Sequence, residues 1–374
     1  MTPPPKPEAD NAPAKRPART RRRTAPRWPL VRPAAWLIVI ASYAVILFAF
    51  LFPHDFRHQG AAYTCAAWTA FMIRTFLFHL GLLLLLVAAL AATLRRWRLL
   101  IATAPLLLFT AGPALWSCVP KPGRTASGPT VTVMSINLLG ANRNTAGIVE
   151  EVRAADPDIL LLLEYRAHWH AAFSAALGDH YPHFTCVQRE DNFGMAFYAR
   201  TPLAEPVDMT IPLGAAGTPQ MRAVVRIGSR NVALYGVHLM PPRGRAATLE
   251  QRREFADLLD RLETELLPVI LCGDFNFTSA SPFADALRRR GLTDSHQLAG
   301  RGRGTTWPVL GFFRWLPGLR LDHIFLSSEL TSLRSVTGIG QGSDHRPVLA
   351  QIGLRSANES PPRDVSAKGR LDDQ

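Results

Sequence analysis

The sequence predicts an α/β domain of mixed strands with helices outside, carried behind a membrane region of three apolar helices. Three observations point to this. From Val131 a strand, helix, strand order opens the longer part of the chain. Ahead of it lie three long runs almost free of charge, and ahead of those a tail of Pro, Ala and Arg.

Residues 1–32 hold nine Lys and Arg against Glu8 and Asp10, with too few apolar side chains to offset chain ordering, so a disordered basic cytoplasmic tail is expected. Much of the formal net charge of +13 comes from this tail, which weakens a nucleic-acid reading of the overall charge. Arg21–Arg23 also fit an export signal, but the next apolar run is long and two more come after it.

Residues 34–52, 75–94 and 99–116 are apolar runs of 19, 20 and 18 residues, near the ~20 that a helix needs to cross a bilayer. None has an amphipathic stripe, which disfavours helices buried in a soluble core. Pro105 and Pro113 soften the third run. The basic tail and Arg95-Arg96-Trp97-Arg98 should stay cytoplasmic, because short loops rich in Lys and Arg are retained there. Residues 53–74 are expected as an outer loop, with Arg74 snorkelling from a helix end. Three crossings that start inside finish outside, so a membrane region over 33–118 places the remainder of the chain outside the cytoplasm; an interfacial third run reverses that. Cys65 and Cys118 both fall near the predicted outer face, which leaves a disulfide between them open. Residues 119–130, rich in Pro and Gly, read as a linker.

Val131–Asn137 is a strand, and Thr145–Ala155 is a helix with Ile148, Val149 and Val152 on one face, stopped by Asp156-Pro157. Strands come next at 159–164, 194–199, 221–227 and 231–238, the last two as a hairpin through Gly228. Leu249–Leu267 is an amphipathic helix with Phe255, Leu258, Leu259, Leu262 and Leu266 on its apolar face. It feeds a strand from Val269, and strands at 321–327 and 347–352 close a domain over 131–354. Residues 355–374 read as a loose polar tail. Mixed strand directions with outer helices fit either α+β or layered α/β.

The chemistry gathers at strand ends. Val269–Phe277 runs an apolar strand into Gly273, Asp274 and Asn276. Alternation puts Asp274 and Asn276 on one side with Phe275 opposite, so a carboxylate and an amide address one ligand; an Asx turn capping the strand fits equally well. Four more apolar segments adjoin Asn137, Glu164, Asp322 and Ser343-Asp344-His345. Hard oxygen donors of this kind suit Mg2+ or Mn2+, and no Cys/His cluster has zinc spacing.

In order, Asn137, Glu164, His238, Gly273-Asp274-Phe275-Asn276, Asp322 and Ser343-Asp344-His345 resemble the motifs of the endonuclease/exonuclease/phosphatase superfamily, across roughly residues 128–354. The resemblance implies a four-layer α/β sandwich, two packed mixed sheets with flanking helices, and phosphoester hydrolysis with Mg2+ or Mn2+. It implies Glu164 as principal metal ligand, Asn137 on metal or phosphate, and Asp344 as a further ligand or the holder of a second metal. Asp274 would orient or deprotonate the attacking water, and Asn276 would hold a phosphate oxygen. His345 would meet the phosphoryl oxygens with Asp322 on its other ring nitrogen, and His238 would be a second phosphate contact or acid. Taken alone, His238 reads more readily as a satisfied structural histidine. His323 faces away and is structural. Arg243, Arg245 and Arg346 grip phosphate or are solvated charges; Asp156 and Asp158 are given no chemistry, and Asn142 and Asn144 stay undecided.

With three spans ahead of it, the chain looks like the bacterial membrane phosphatases associated with vancomycin and teicoplanin resistance. That implies a polyprenyl (pyro)phosphate carrier of cell-wall synthesis as substrate, the lipid bilayer as partner and no obligate protein partner. Leu163 stands before Glu164 where many relatives carry Gln, which weakens transfer from the nuclease branches. A surface nuclease remains the rival, although no aromatic and basic track for a single strand is evident; a non-catalytic membrane receptor is the rival from another class. Residues 308–317 hold Phe312, Phe313 and Trp315 beside a catalytic strand. They either pack on the domain's own body or meet a lipid surface.

Overall fold

The computed structural model describes residues 31–356 and the first two residues. The tails expected over 1–32 and 355–374 lie outside them except at their inner edges.

Two mixed sheets pack face to face. The first has strands β1 (Ala126–Asn137), β2 (Ile159–Leu163), β3 (His183–Val187), β4 (Met195–Ala199), β10 (Leu330–Thr337) and β11 (Val348–Arg355), in the order β10-β11-β1-β2-β4-β3. The second has β5 (Met221–Ile227), β6 (Arg230–His238), β7 (Val269–Asp274), β8 (Thr293–Asp294) and β9 (Asp322–Leu326), in the order β5-β6-β7-β9-β8. Strands near the centre are apolar on both faces because each has a sheet on one side and helices on the other. In β2, Ile159, Leu161 and Leu163 enter the core between the sheets. Leu160 and Leu162 face the opposite way, under α5 (Thr145–Ala155) and α6 (Ala167–Leu177), where Ile148, Trp169 and Phe173 cover them. In β7, Ile270 and Cys272 face inward, while Val269 and Leu271 meet Phe255 and Leu258 of α7 (Gly244–Thr264) and Phe283 of α8 (Pro282–Arg289). The result is the expected helix, sheet, sheet, helix sandwich.

Several bounds shift. β1 begins at Ala126, inside the expected linker, and α7 ends at Thr264, leaving Leu266 96% exposed instead of on the apolar face. Lys121 of the same linker donates from Nζ to His296 O at 2.5 Å. The hairpin turn is tight, with Ile227 opposite Arg230 and Gly228 at φ +60°. Strands β3 and β10 and helices α6 and α8 have no counterpart among the elements expected from the sequence. All four cysteines are free thiols, so the Cys65–Cys118 bond is not formed.

The apolar helices ahead of the sheets depart most from expectation. α1 (Val31–Leu51) and α4 (Trp97–Ser117) are each long and apolar enough to cross a bilayer. Between them lie α2 (Ala61–Thr75) and α3 (Leu77–Thr93), bent by 60° and apolar enough for one span only as a pair. The expected outer loop is therefore mostly helix. An Ala-rich stretch with Trp68, Phe71 and Met72 has the propensity for it, and its apolar side chains are used against the two-sheet domain. Phe56 packs 4.8 Å from both Phe255 and Phe283, and Phe71 lies 5.5 Å from Phe283. Trp68 Nε1 donates to Pro242 O at 3.3 Å, and Arg252 donates to His58 O at 3.2 Å. Arg74 does not snorkel. It is 4% exposed, pairs with Asp285 and donates from Nε to Ala280 O at 2.6 Å. At the other junction Gly302 N donates to Ser117 O at 2.8 Å.

Arg74→Ala leaves the half-buried Ala280 carbonyl without its side-chain donor and Asp285 with Arg288 as its remaining partner, at about 1–3 kcal/mol. Faster amide exchange across residues 53–75, with strands β6 and β7 still protected, is the expected reading.

Candidate active site

Strand direction brings the polar residues together. β1 and β2 are parallel, as are β6 and β7, so Asn137, Glu164, His238 and Asp274 emerge at one edge of the sandwich. β9 runs antiparallel to β7 and delivers Asp322 to the same edge from its first residue, while the turn before β11 brings Ser343, Asp344 and His345. Register then sets neighbours: His238 stands beside Asp274, and Asp274 beside Asp322. Gly273 makes this approach feasible. Its φ is +139°, and a Cβ there would lie 1.9 Å from Val237 O, so any other residue would push β6 and β7 apart.

Asp274 Oδ2 is the focus. Asn137 Nδ2 donates to it at 3.1 Å, and His238 Nε2 and His345 Nε2 lie 3.7 and 3.8 Å away. Its other oxygen accepts from Asn276 N at 2.9 Å. His345 Nδ1 is 2.8 Å from Asp322 Oδ2. Burial alone would lower the His345 imidazolium, but the Asp322 and Asp274 carboxylates override it and push the ring up to about 10. Asp322 is held below the usual range: burial opposes this, and the His345 charge and hydrogen bond prevail. Asp274 moves the other way, raised by burial and then by the Asp322 charge. The edge thus holds one carboxylate lowered by its imidazolium partner, one raised by burial, and His345 between them.

Two donor sets bear on a metal. Ligand atoms of Asp274, Asp322 and His345 lie within 4.8 Å of one another. Within that group His345 Nδ1 lies 2.8 Å from Asp322 Oδ2 and Nε2 faces Asp274 Oδ2 at 3.8 Å. The other set is the expected one, Asn137, Glu164 and Asp344, whose two carboxylates are the donor type a hard cation prefers. Glu164 is raised by burial, with the Asp344 charge adding to it, while Gly140 N at 2.8 Å and Asn137 oppose. Among the described residues no Lys or Arg pairs with Glu164.

His238 lies under Phe193, ring centroids 5.1 Å apart, and its backbone exchanges two hydrogen bonds with the Gln220 amide. Asn276 differs from the alternation reading. At φ +52° it leaves the extended conformation, and its side chain donates to Leu239 O at 2.9 Å, so one of its two amide hydrogens is already held. His323 sits on the far side of β9, between Asp294 Oδ2 at 2.7 Å and Phe277 O at 3.0 Å, a structural place. Arg243 and Arg245 are exposed and Arg346 half-buried. Asn142 is buried and accepts from Asn144 N at 2.9 Å, and Asn144 caps α5.

Sequence reasoning passed over Thr306 and Trp307. Thr306 Oγ1 accepts from Leu321 N at 3.0 Å, and Trp307 Nε1 donates to Asp344 Oδ2 at 3.2 Å. Polar side chains in a loop without periodicity gave no signal beyond their nearness to Asp322.

The sequence matches the endonuclease/exonuclease/phosphatase family over residues 134–345. The chain belongs to this family, whose members are typically metal-dependent phosphoester hydrolases. An endonuclease/exonuclease/phosphatase from Beutenbergia cavernae DSM 12333 is similar at 18% identity and a TM-score of 0.51, covering 61% of this chain and 72% of that one. Truncated Caenorhabditis elegans TDP2 is similar at 20% identity and a TM-score of 0.50, covering 60% and 98%. TDP2 from D. rerio, complexed with a single-strand DNA product, is similar at 16% identity and a TM-score of 0.50, covering 60% and 99%. These likenesses establish the fold. No curated protein matches the chain.

Behind His238, Gln220 Nε2 donates to Thr218 Oγ1 at 3.1 Å, and Glu254 Oε2 accepts from Met240 N at 2.6 Å. Burial, with Glu250 adding, pushes Glu254 from 4.5 up to about 8. A raised carboxyl keeps in the folded state a proton that the unfolded chain releases, so its contribution is present below pH about 4.5 and is lost as pH rises toward about 8. Thermal unfolding of Glu254→Gln should therefore gain on wild type as pH goes from about 5 to 9. Parallel profiles would show that Glu254 folds ionised.

Proposed function

We propose that the chain is a membrane-anchored, divalent-metal-dependent phosphoesterase whose catalytic edge sits at a bilayer surface, acting on a phosphate or pyrophosphate ester borne by a lipid. The observation that carries this reading is where the two halves meet. The loop after Asp274 runs within six residues to Ala280, which packs on the apolar cluster of α1, α3 and α4 and accepts from Arg74. Contacts from Phe56, Trp68, Arg74 and Ser117 all come from one end of the helical bundle. Arg95-Arg96-Trp97-Arg98 lies at the turn between α3 and α4, the opposite end. With that basic turn cytoplasmic and the bent pair counted as one crossing, the catalytic domain, proposed over 131–354, is extracytoplasmic. A membrane region of three spans and a domain outside it fit the phosphatase branch associated with vancomycin and teicoplanin resistance, and a polyprenyl pyrophosphate carrier of cell-wall synthesis as substrate.

Glu164, Asn137 and Asp344 are proposed to hold Mg2+ or Mn2+, which when bound supplies positive charge to the phosphoryl oxygens. Asp274, raised by burial, takes the proton of the attacking water. His345, held as imidazolium by Asp322, donates from Nε2 to a phosphoryl oxygen. His238 and the free amide hydrogen of Asn276 supply further donors, and burial of the cluster strengthens each of them. A second reading, a surface-tethered nuclease, is favoured by the likeness to a TDP2 complexed with a single-strand DNA product.

Purified full chain with Mg2+ should release phosphate from undecaprenyl pyrophosphate and leave plasmid DNA intact. Asp274→Ala should lower that rate by ~10²–10⁴-fold, the range for loss of a general base. Glu164→Gln should raise the Mg2+ concentration needed. DNA cleavage that falls with Asp274→Ala would select the nuclease reading, and no release above that variant would remove the enzyme. A reporter fused after residue 356 should be active only outside the cytoplasm.

A further inference from the structure

Residues 310–316 present a strongly apolar surface at the rim of the site. Phe312, Phe313 and Trp315 are 77, 62 and 75% exposed, held outward on a 3-10 turn over Phe312–Trp315. They do not pack on the domain's own body. In water such a cluster is a liability.

Both ends of the segment are fixed. On one side Trp307 Nε1 donates to Asp344 Oδ2 at 3.2 Å and Val309 N to Asp344 O at 3.0 Å. On the other, His79 Nε2, near the start of α3, lies 2.7 Å from Pro317 O. Next to it Arg303 donates to Gly318 O at 2.7 Å and stacks 3.8 Å from the centre of the Phe78 ring. The exposed rings therefore hang between Asp344 and the end of α3 that joins the catalytic domain. Three rings each more than 60% exposed on one turn suit a bilayer face and not the enclosure of a single chain. Arg314, 4.8 Å from the Trp315 ring centre, adds a cation at the level of anionic headgroups.

We propose that residues 310–316 insert into the interfacial layer of the bilayer and hold Asp344 at headgroup depth, so that a phosphate on a lipid meets the site without leaving the membrane. This rests on the reading that α3 belongs to a span, and it names how the site selects lipid-borne over soluble esters. Aromatic rings, Trp above all, favour that depth.

The test uses the full chain in nanodiscs containing phosphatidylglycerol, with the native cysteines replaced by Ser or Ala. An environment-sensitive label on Phe313→Cys should be quenched by brominated lipids, and one on Asp179→Cys, exposed after α6, should not. Equal quenching at both positions overturns the proposal. So does a label at 313 that is shielded from a soluble quencher yet untouched by brominated lipid, which would mean a protein covers the segment. In parallel, replacing Phe312, Phe313 and Trp315 with Ser should lower turnover of a lipid pyrophosphate about tenfold and leave bis(4-nitrophenyl) phosphate within about twofold. Equal loss on both substrates overturns the selection step. If wild type hydrolyses neither, the phosphoesterase reading fails, while the quenching pattern still decides insertion.

Discussion

Two buried carboxylates, Asp274 and Asp322, stand opposite one another across β7 and β9. Such a pair stays ionised only if a positive charge lies between them, because like charges in a poorly solvated place raise one another until one protonates. His345 is that charge, bonded to Asp322 through Nδ1 and facing Asp274 through Nε2. The arrangement depends on strand register: a one-residue slip of β9 would turn Asp322 to the far face of the sheet and bring His323 to the edge. Gly273 is part of the same constraint, since only a residue without Cβ lets β6 and β7 close at that point.

A second constraint is the grip of residues 53–75 on the outer face of the second sheet. Phe56 and Phe71 join a cluster that also contains Phe255, Phe283 and Val269. The same helices α7 and α8 therefore back the catalytic strand on one side and receive the tether on the other. Arg57 adds exposed pairs with Asp257 and Asp260, worth little individually in solvent, so the apolar contacts and the buried Arg74 contribute more to the junction.

How much was legible depends on the kind of signal each part carries. The central strands could be read because a two-sided core makes them uniformly apolar, and the catalytic edge could be read because polar residues break off those runs at Asn137, Glu164, Asp274 and Asp322. The alternation reading of Asn276 stops short because the strand ends at Asp274 and Asn276 itself takes positive φ, its N donating to Asp274 Oδ1 in the Asx turn that the sequence also allowed. β3 was missed because it is an edge strand with mixed burial over His183–Val187, and α2 because an Ala-rich helix between two apolar runs gives neither a membrane-length run nor a clear stripe. Trp307 was passed over because its role depends on a contact with Asp344, 37 residues away in sequence, which no local pattern encodes.

The fastening of residues 53–75 to α7 and α8 has a kinetic meaning. A catalytic domain on a loose leash would sweep a hemisphere of solution and meet its targets by three-dimensional diffusion. One bolted down on both sides of a bent helix pair has almost no such volume to explore. On the proposed reading of a lipid-borne substrate, its encounters would be set by lateral drift within a sheet of lipid, and its effective substrate supply by molecules per unit area, so that diluting the surrounding medium would leave its workload unchanged.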